Sequence, residues 1–391
     1  MASADERGEL LANVLQNPDD SGACQVYGDW LADHGDPRGE LCQIQIRLAA
    51  ASAGDVTLDA DERSDLERRE KKLLAQLRKA FNRRYATKGT RWVTRLGMIR
   101  ELSIDTAAFI AHGEAIVAEE PIETLALWKL SREMLAPLAR CPALARIGEL
   151  VLRQHPLRAE VATLLASPHL QRLRHLELRA CKLGAPGGRE LRKLDARYLP
   201  LLRSLAIPQN AIGDNAAAAL ARSPLLAQLE QLDVATNNLG GRGVAALVGS
   251  LQRVRRLDLS ANYFGEQACA RIAAHEGLRA LEMLDLEFCR VGGDGIAHLA
   301  RSPNLGALRE LDVSCCHIDD EGAVALAASP RLGSLERVRF GATASLEALD
   351  AGNFQRDAFN HAGARGIAAL RERFAEGLSL RTFVDGQWRE S

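Results

Sequence analysis

The sequence predicts an α/β fold of a particular kind: a solenoid curved into a horseshoe, with a parallel β-sheet on its concave face and helices on its convex face. A small all-α domain precedes it. Three observations predict this. The pattern apolar-x-x-apolar-x-apolar-x-x-small-x-apolar starts ten times, at Ile99, Ile122, Ile147, Leu173, Leu202, Leu229, Val254, Leu281, Leu308 and Leu335. Successive starts lie 23 to 29 residues apart, a period that marks stacked supersecondary units. Most copies lead through a Gly- or Asp-containing turn into an Ala/Leu-rich stretch such as Gly213 to Arg222, whose composition favours helix.

The elements follow in order. Ser3-Ala4-Asp5-Glu6 reads as a capping box opening a helix over about 4–16, with Leu10, Leu11, Val14 and Leu15 at helical spacing. Asn17-Pro18-Asp19-Asp20 stops it. A second helix carries Val26, Tyr27, Trp30 and Leu31 on one face and ends at Asp33-His34-Gly35-Asp36-Pro37. A third covers about 38–50 with Leu41, Ile44 and Leu48 inward. After a Ser/Gly/Asp linker at 52–60, Leu66, Leu73, Leu74, Leu77 and Phe81 place a fourth helix that continues to about Arg84. Each repeat then reads strand, turn, helix, return. The returns begin at recurring steps into proline, namely Cys141-Pro142, Ser167-Pro168, Ser223-Pro224, Ser302-Pro303 and Ser329-Pro330. The residue before proline is pushed out of the helical region, so each step is a stop. Ala364 to Phe374 reads as the last helix. We expect a helical capping domain over 1–95 and a solenoid with its own C-terminal cap over 96–391. Trp30 and Trp92 are expected over the exposed edge of the first repeat, and Phe383, Val384 and Trp388 over that of the last.

Over roughly residues 96–375 these repeats resemble the leucine-rich repeat family, specifically the 27-to-29-residue class with a full helix per unit found in ribonuclease inhibitors and the GTPase-activating proteins of the Ran system. Asn210, Asn237 and Asn262 occupy the position where that family uses Asn to bond the backbone of neighbouring turns, and Cys181, Cys289 and Cys316 fill it elsewhere. His155 and Leu130 depart from the pattern, which implies less regular first repeats. Residues 7–50, with Asn17-Pro18-Asp19-Asp20 and the run from Val26 to Glu40, resemble the bacterial repeat-companion domain, a small helical module found beside such arrays. Gly28 and His34 depart from its usual Ala and Glu.

At 391 residues the chain exceeds one compact globular domain, a limit that a structure growing in one dimension escapes. Eight cysteines and an opening Met1-Ala2-Ser3-Ala4-Asp5-Glu6 without basic leader or apolar run point to reduced thiols in a cytoplasmic protein. No stretch approaches the roughly 18 apolar residues of a membrane span. The net charge of −1 hides an asymmetry: residues 1–62 hold 13 acids and 3 basic residues, and residues 63–100 hold 13 basic residues and 3 acids.

The concave strand face is the expected binding surface, because the variable strand positions stand side by side there. The position between the second and third apolar residues reads Asp233, Asp258, Asp285 and Asp312 in four consecutive repeats, with Glu287 beside the column. On parallel strands about 4.8 Å apart these carboxylates repel one another and attract a basic partner. Arg255, Arg256, Arg309, Arg337 and Arg339 flank the column as internal counter-charge. Phe288 and Trp128 fall at strand ends where exposed aromatics dominate interface energies, and the register is firmer at Phe288. No cofactor or metal is expected, since Cys315-Cys316 lacks a Cys-x-x-Cys companion and His275-Glu276 a second histidine. The chain reads as a non-enzymatic monomer that binds a protein partner. Regulation of a GTPase is an alternative implied by the resemblance alone. Nucleic-acid binding through 63–95 is disfavoured, because Phe81, Tyr85 and Trp92 are not interleaved in a known RNA-binding motif.

Overall fold

The computed structural model describes residues 2–17, 19–85, 87–341, 360–384 and 387–390, with side chains over 6–17, 19–85, 87–341 and 360–380. The chain forms two compact units, one of residues 1–152 with 167–173, the other of 153–166 with 174–391.

The first unit opens with four helices, α1 (Ala2–Gln16), α2 (Ser21–Asp33), α3 (Pro37–Ala53) and α4 (Ala60–Arg84). Three of them start on an aspartate that accepts otherwise free amide protons: Asp20 from Gly22 and Ala23, Asp36 from Arg38, Asp59 from Glu62. Ser3 already lies inside α1, so the expected capping box does not open that helix. α2 and α3 meet at backbone distance because both carry glycine at the crossing. A Cβ on Gly28 would fall 2.8 Å from Cys42 Sγ, and one on Gly39 2.3 Å from the Ala32 nitrogen. Val14, Tyr27 and Leu31 form one core cluster with Met98, and Leu41, Ile44, Leu66 and Leu73 form another.

An antiparallel hairpin follows, β1 (Arg91–Arg95) with β2 (Met98–Asp105), turned by Leu96 and Gly97 at positive φ. Then come α5 (Thr106–Glu119), β3 (Thr124–Trp128), α6 (Leu135–Ala139) and β4 (Glu149–Arg153), with β2, β3 and β4 parallel and in register. The outer edge of the first parallel strand is therefore closed by β1, in which Trp92 pairs with Leu102. Trp30 stacks on His34 at 3.8 Å and packs against the Tyr27 cluster, which includes Met98 of β2.

The second unit contains α7 (Val161–Leu165), β5 (His175–Arg179), α8 (Gly184–Glu190), β6 (Ser204–Ala206), α9 (Gly213–Leu220), β7 (Gln231–Asp233), α10 (Gly241–Val248), β8 (Arg256–Asp258), α11 (Gly265–Ala274) and β9 (Met283–Asp285). It continues with α12 (Gly292–Ala300), β10 (Glu310–Asp312), α13 (Asp320–Ala327), β11 (Arg337–Gly341), α14 (Ala364–Phe374), β12 (Leu378–Val384) and β13 (Gln387–Glu390). β5 to β12 run parallel, each beside its predecessor, and β13 returns antiparallel. α14 covers the residues expected of the last helix. The side chains of Phe383, Val384 and Trp388 lie outside the described residues; their backbones place Phe383 opposite Trp388.

Three stacked rows tie the repeats of this unit together. Leu205, Leu232, Leu257, Leu284, Leu311 and Val338 pair strand to strand, each buried and each contributing about 1.5–3 kcal/mol of apolar burial. The Asn/Cys row satisfies the turns. Asn210 Oδ1 accepts the Cys181 and Leu183 amides while its Nδ2 donates to Leu178, Ile207 and Pro208 carbonyls, and Asn237 and Asn262 repeat the arrangement. Cys289 and Cys316 donate through Sγ to Leu259 at 3.1 Å and Leu286 at 2.8 Å, and Cys316 Sγ also accepts the Cys289 and Val291 amides. Burial pushes the Cys316 thiol up to about 12, which keeps it a protonated donor at neutral pH. Asn360 ends the row by accepting the Cys316 and Ile318 amides. A third row lies at the helix ends, where Ser223, Ser302 and Ser329 donate to the carbonyls of Leu194, Ala273 and Ala300 at 2.8, 2.6 and 2.5 Å. No helix among the described residues is long and apolar enough to cross a membrane.

Candidate functional site

The register places Asp233 opposite Asp258, Asp258 opposite Asp285 and Asp285 opposite Asp312, so the four carboxylates form one row across β7 to β10. Each projects between two buried apolar neighbours, as Asp285 does between Leu284 and Leu286. Each also has a local task that the sequence reading missed. Its Oδ1 accepts the amide two residues on, Ala235, Ser260, Glu287 and Ser314 in turn, at 2.9 Å every time. This side-chain turn lets the strand leave its pleat before the left-handed residues Thr236, Ala261, Phe288 and Cys315.

Charge along the row depends on arginine. At its start Arg153 and Arg179 hold Glu177 at 2.8 and 3.0 Å; burial raises that carboxyl, but the two hydrogen bonds outweigh it and keep it below the usual range. Among the described residues Asp233 has only Arg179 as a cation, at 3.9 Å, and burial with the neighbouring Asp258 pushes it up to about 6. Arg339 lies 3.7 Å from Asp312. Asp258 and Asp285 have no ion pair among the described residues, and burial followed by repulsion from Asp258 and Asp312 pushes Asp285 up to about 8.

The flanking arginines do not neutralise the column as expected, with Arg339 the exception. Arg255 pairs with Glu282 at 2.5 Å, Arg309 with Glu336 at 3.1 Å, and Arg337 with Glu310. The first two pairs belong to a separate edge row in which Glu230, Arg255, Glu282, Arg309 and Glu336 alternate in sign, each amide after the first donating to the carbonyl before it.

Glu287 and Phe288 are half-buried just past the end of β9, and Phe288 holds a φ of 57°. Tyr263, one repeat earlier, is 61% exposed and carries the Arg290 guanidinium 5.0 Å from its ring centre. Its place next to Asn262 was the signal that could have found it. Trp128 is half-buried, with Lys129 over its ring. In the basic segment, Arg69 pairs with Glu40 and Arg84 with Glu119, each at 2.6 Å, while Arg78 lies over Trp92. Among the described residues no group of three or more His, Cys, Asp or Glu is placed to hold a metal.

A family model described as leucine-rich repeat matches residues 228–248 and 308–327. No curated protein matches. Similar solved structures include the Rad7–Elc1 complex of yeast, at 15% identity over 70% of this chain and 81% of that one, with a TM-score of 0.35. Another is a Bacteroides fragilis protein at 12% identity over 70% and 77%, with a TM-score of 0.43. A third is TLR13 in complex with ssRNA13, at 16% identity over 67% of this chain and 35% of that one, with a TM-score of 0.33. The two matched stretches are leucine-rich repeats, and the Asn/Cys row continues the same unit from Cys181 to Asn360.

Proposed function

We propose that the protein is a non-catalytic interaction module that captures a protein partner on the strand face bearing Asp233, Asp258, Asp285 and Asp312, with Glu287 and Phe288 at its border. One observation carries the reading: the two inner aspartates stand in register without a cation, in surroundings that lift Asp285 to about 8. A partner's basic side chain supplies what the fold leaves out, and the rigid strand ladder presents the row without an ordering cost. The 25-to-29-residue spacing from Ile122 onward supports the ribonuclease-inhibitor class of repeat, and the helices over residues 7–50 support the companion-domain resemblance.

The test is affinity capture from lysate of the source cell with the intact chain and with an Asp258→Asn/Asp285→Asn variant, which keeps both Oδ1 acceptors. We expect a protein retained by the wild type and lost by the variant, at a melting temperature no lower than wild type. An identical retained set would remove the acidic row from consideration.

A further inference from the structure

Within the first unit, the α2–α3 turn, the C-terminal half of α4, the β1–β2 hairpin and the end of α5 enclose a cleft of about 480 Å³. That volume lies inside the range of small-molecule sites, about 300–1,000 Å³. Its apolar wall is aromatic: Phe81 meets Tyr85 at 4.7 Å and Trp92 at 4.9 Å between ring centres, both edge to face. Beside it lies a buried ionic cluster. Arg38 donates to Asp36 at 2.7 Å and to Glu120 at 3.2 Å, and the Ile99 amide donates to the other oxygen of Glu120 at 2.8 Å. Arg84 forks onto Glu119 through bonds of 2.6 and 2.7 Å.

Hydrogen-bond capacity decides what such a cleft takes. All three of its carboxylates, Asp36, Glu119 and Glu120, are already held by arginine, so an entering cation finds no acidic group unpaired. A cation remains among the lining residues. Arg7 forms no ion pair among the described residues. We propose that the cleft is a binding site for a small planar organic anion, a ring bearing a carboxylate or a phosphate. The ring packs on Phe81, Tyr85 and Trp92, and its oxygens accept from Arg7. This site does not depend on the strand-face reading.

Calorimetric titration of the full chain with naphthoate, naphthyl phosphate, naphthylmethylammonium and inorganic phosphate tests the assignment. At least one naphthyl anion should bind at one site per chain, and the tighter of the two identifies the head group. The matched cation and the ringless anion should give no saturable heat. Arg7→Gln should weaken the anion about tenfold at an unchanged melting temperature. Failure of both naphthyl anions to bind overturns the proposal, as does binding of the cation with equal strength. So does full-strength binding by Arg7→Gln at the wild-type melting temperature.

Discussion

Asp285 shows how one side chain serves the fold and strains it at once. Its Oδ1 is needed to cap the strand, yet its charge is opposed by burial and by two neighbouring carboxylates. The unfolded chain ionises this group near pH 3.9, whereas the folded one keeps its proton to about 8. The folded state therefore binds more protons across that window, and its stability falls as pH rises through it. Asp285→Asn keeps the acceptor and removes the charge. The variant should melt a few °C above wild type at pH 8, with the gain shrinking toward zero near pH 4 in thermal scans across that range. A gain independent of pH would show that the carboxylate is not the cause.

At the scale of the element, the Ser-Pro steps do more than stop helices. Each serine also receives an amide, Asn304 onto Ser302 Oγ at 3.1 Å, while donating to the previous helix end. Ser302→Ala leaves a buried amide and weakens a buried carbonyl bond, a loss of about 1–2 kcal/mol readable as a lower urea midpoint at unchanged slope. That row was legible in principle, since Ser rather than any other residue precedes proline in four of the five steps. The strand ladder, α14 and the in-register aspartates were legible because apolar periodicity fixes which positions face the core. β1 was not: Arg91-Trp92-Val93-Thr94-Arg95 alternates exposed with half-buried residues and buries none of them fully. Asn360 was not either, because it follows Cys316 by 44 residues where a single repeat would put it near 27. The pairing of the flanking arginines escaped the sequence for another reason. Arg255 and Glu282 lie one repeat apart, and only the register decides whether a side chain reaches the next edge residue or the aspartate row.

For the whole molecule, the alternation of Glu230, Arg255, Glu282, Arg309 and Glu336 acts as a parity rule on array length. Excising the single unit from Arg255 to Leu281 would join Glu230 directly to Glu282, and duplicating it would set two arginines side by side; either junction sets like charges against each other and forfeits a modest surface pairing. Between Glu230 and Glu336, inserting or removing one coil therefore breaks the sign order of the edge, whereas inserting or removing two keeps it.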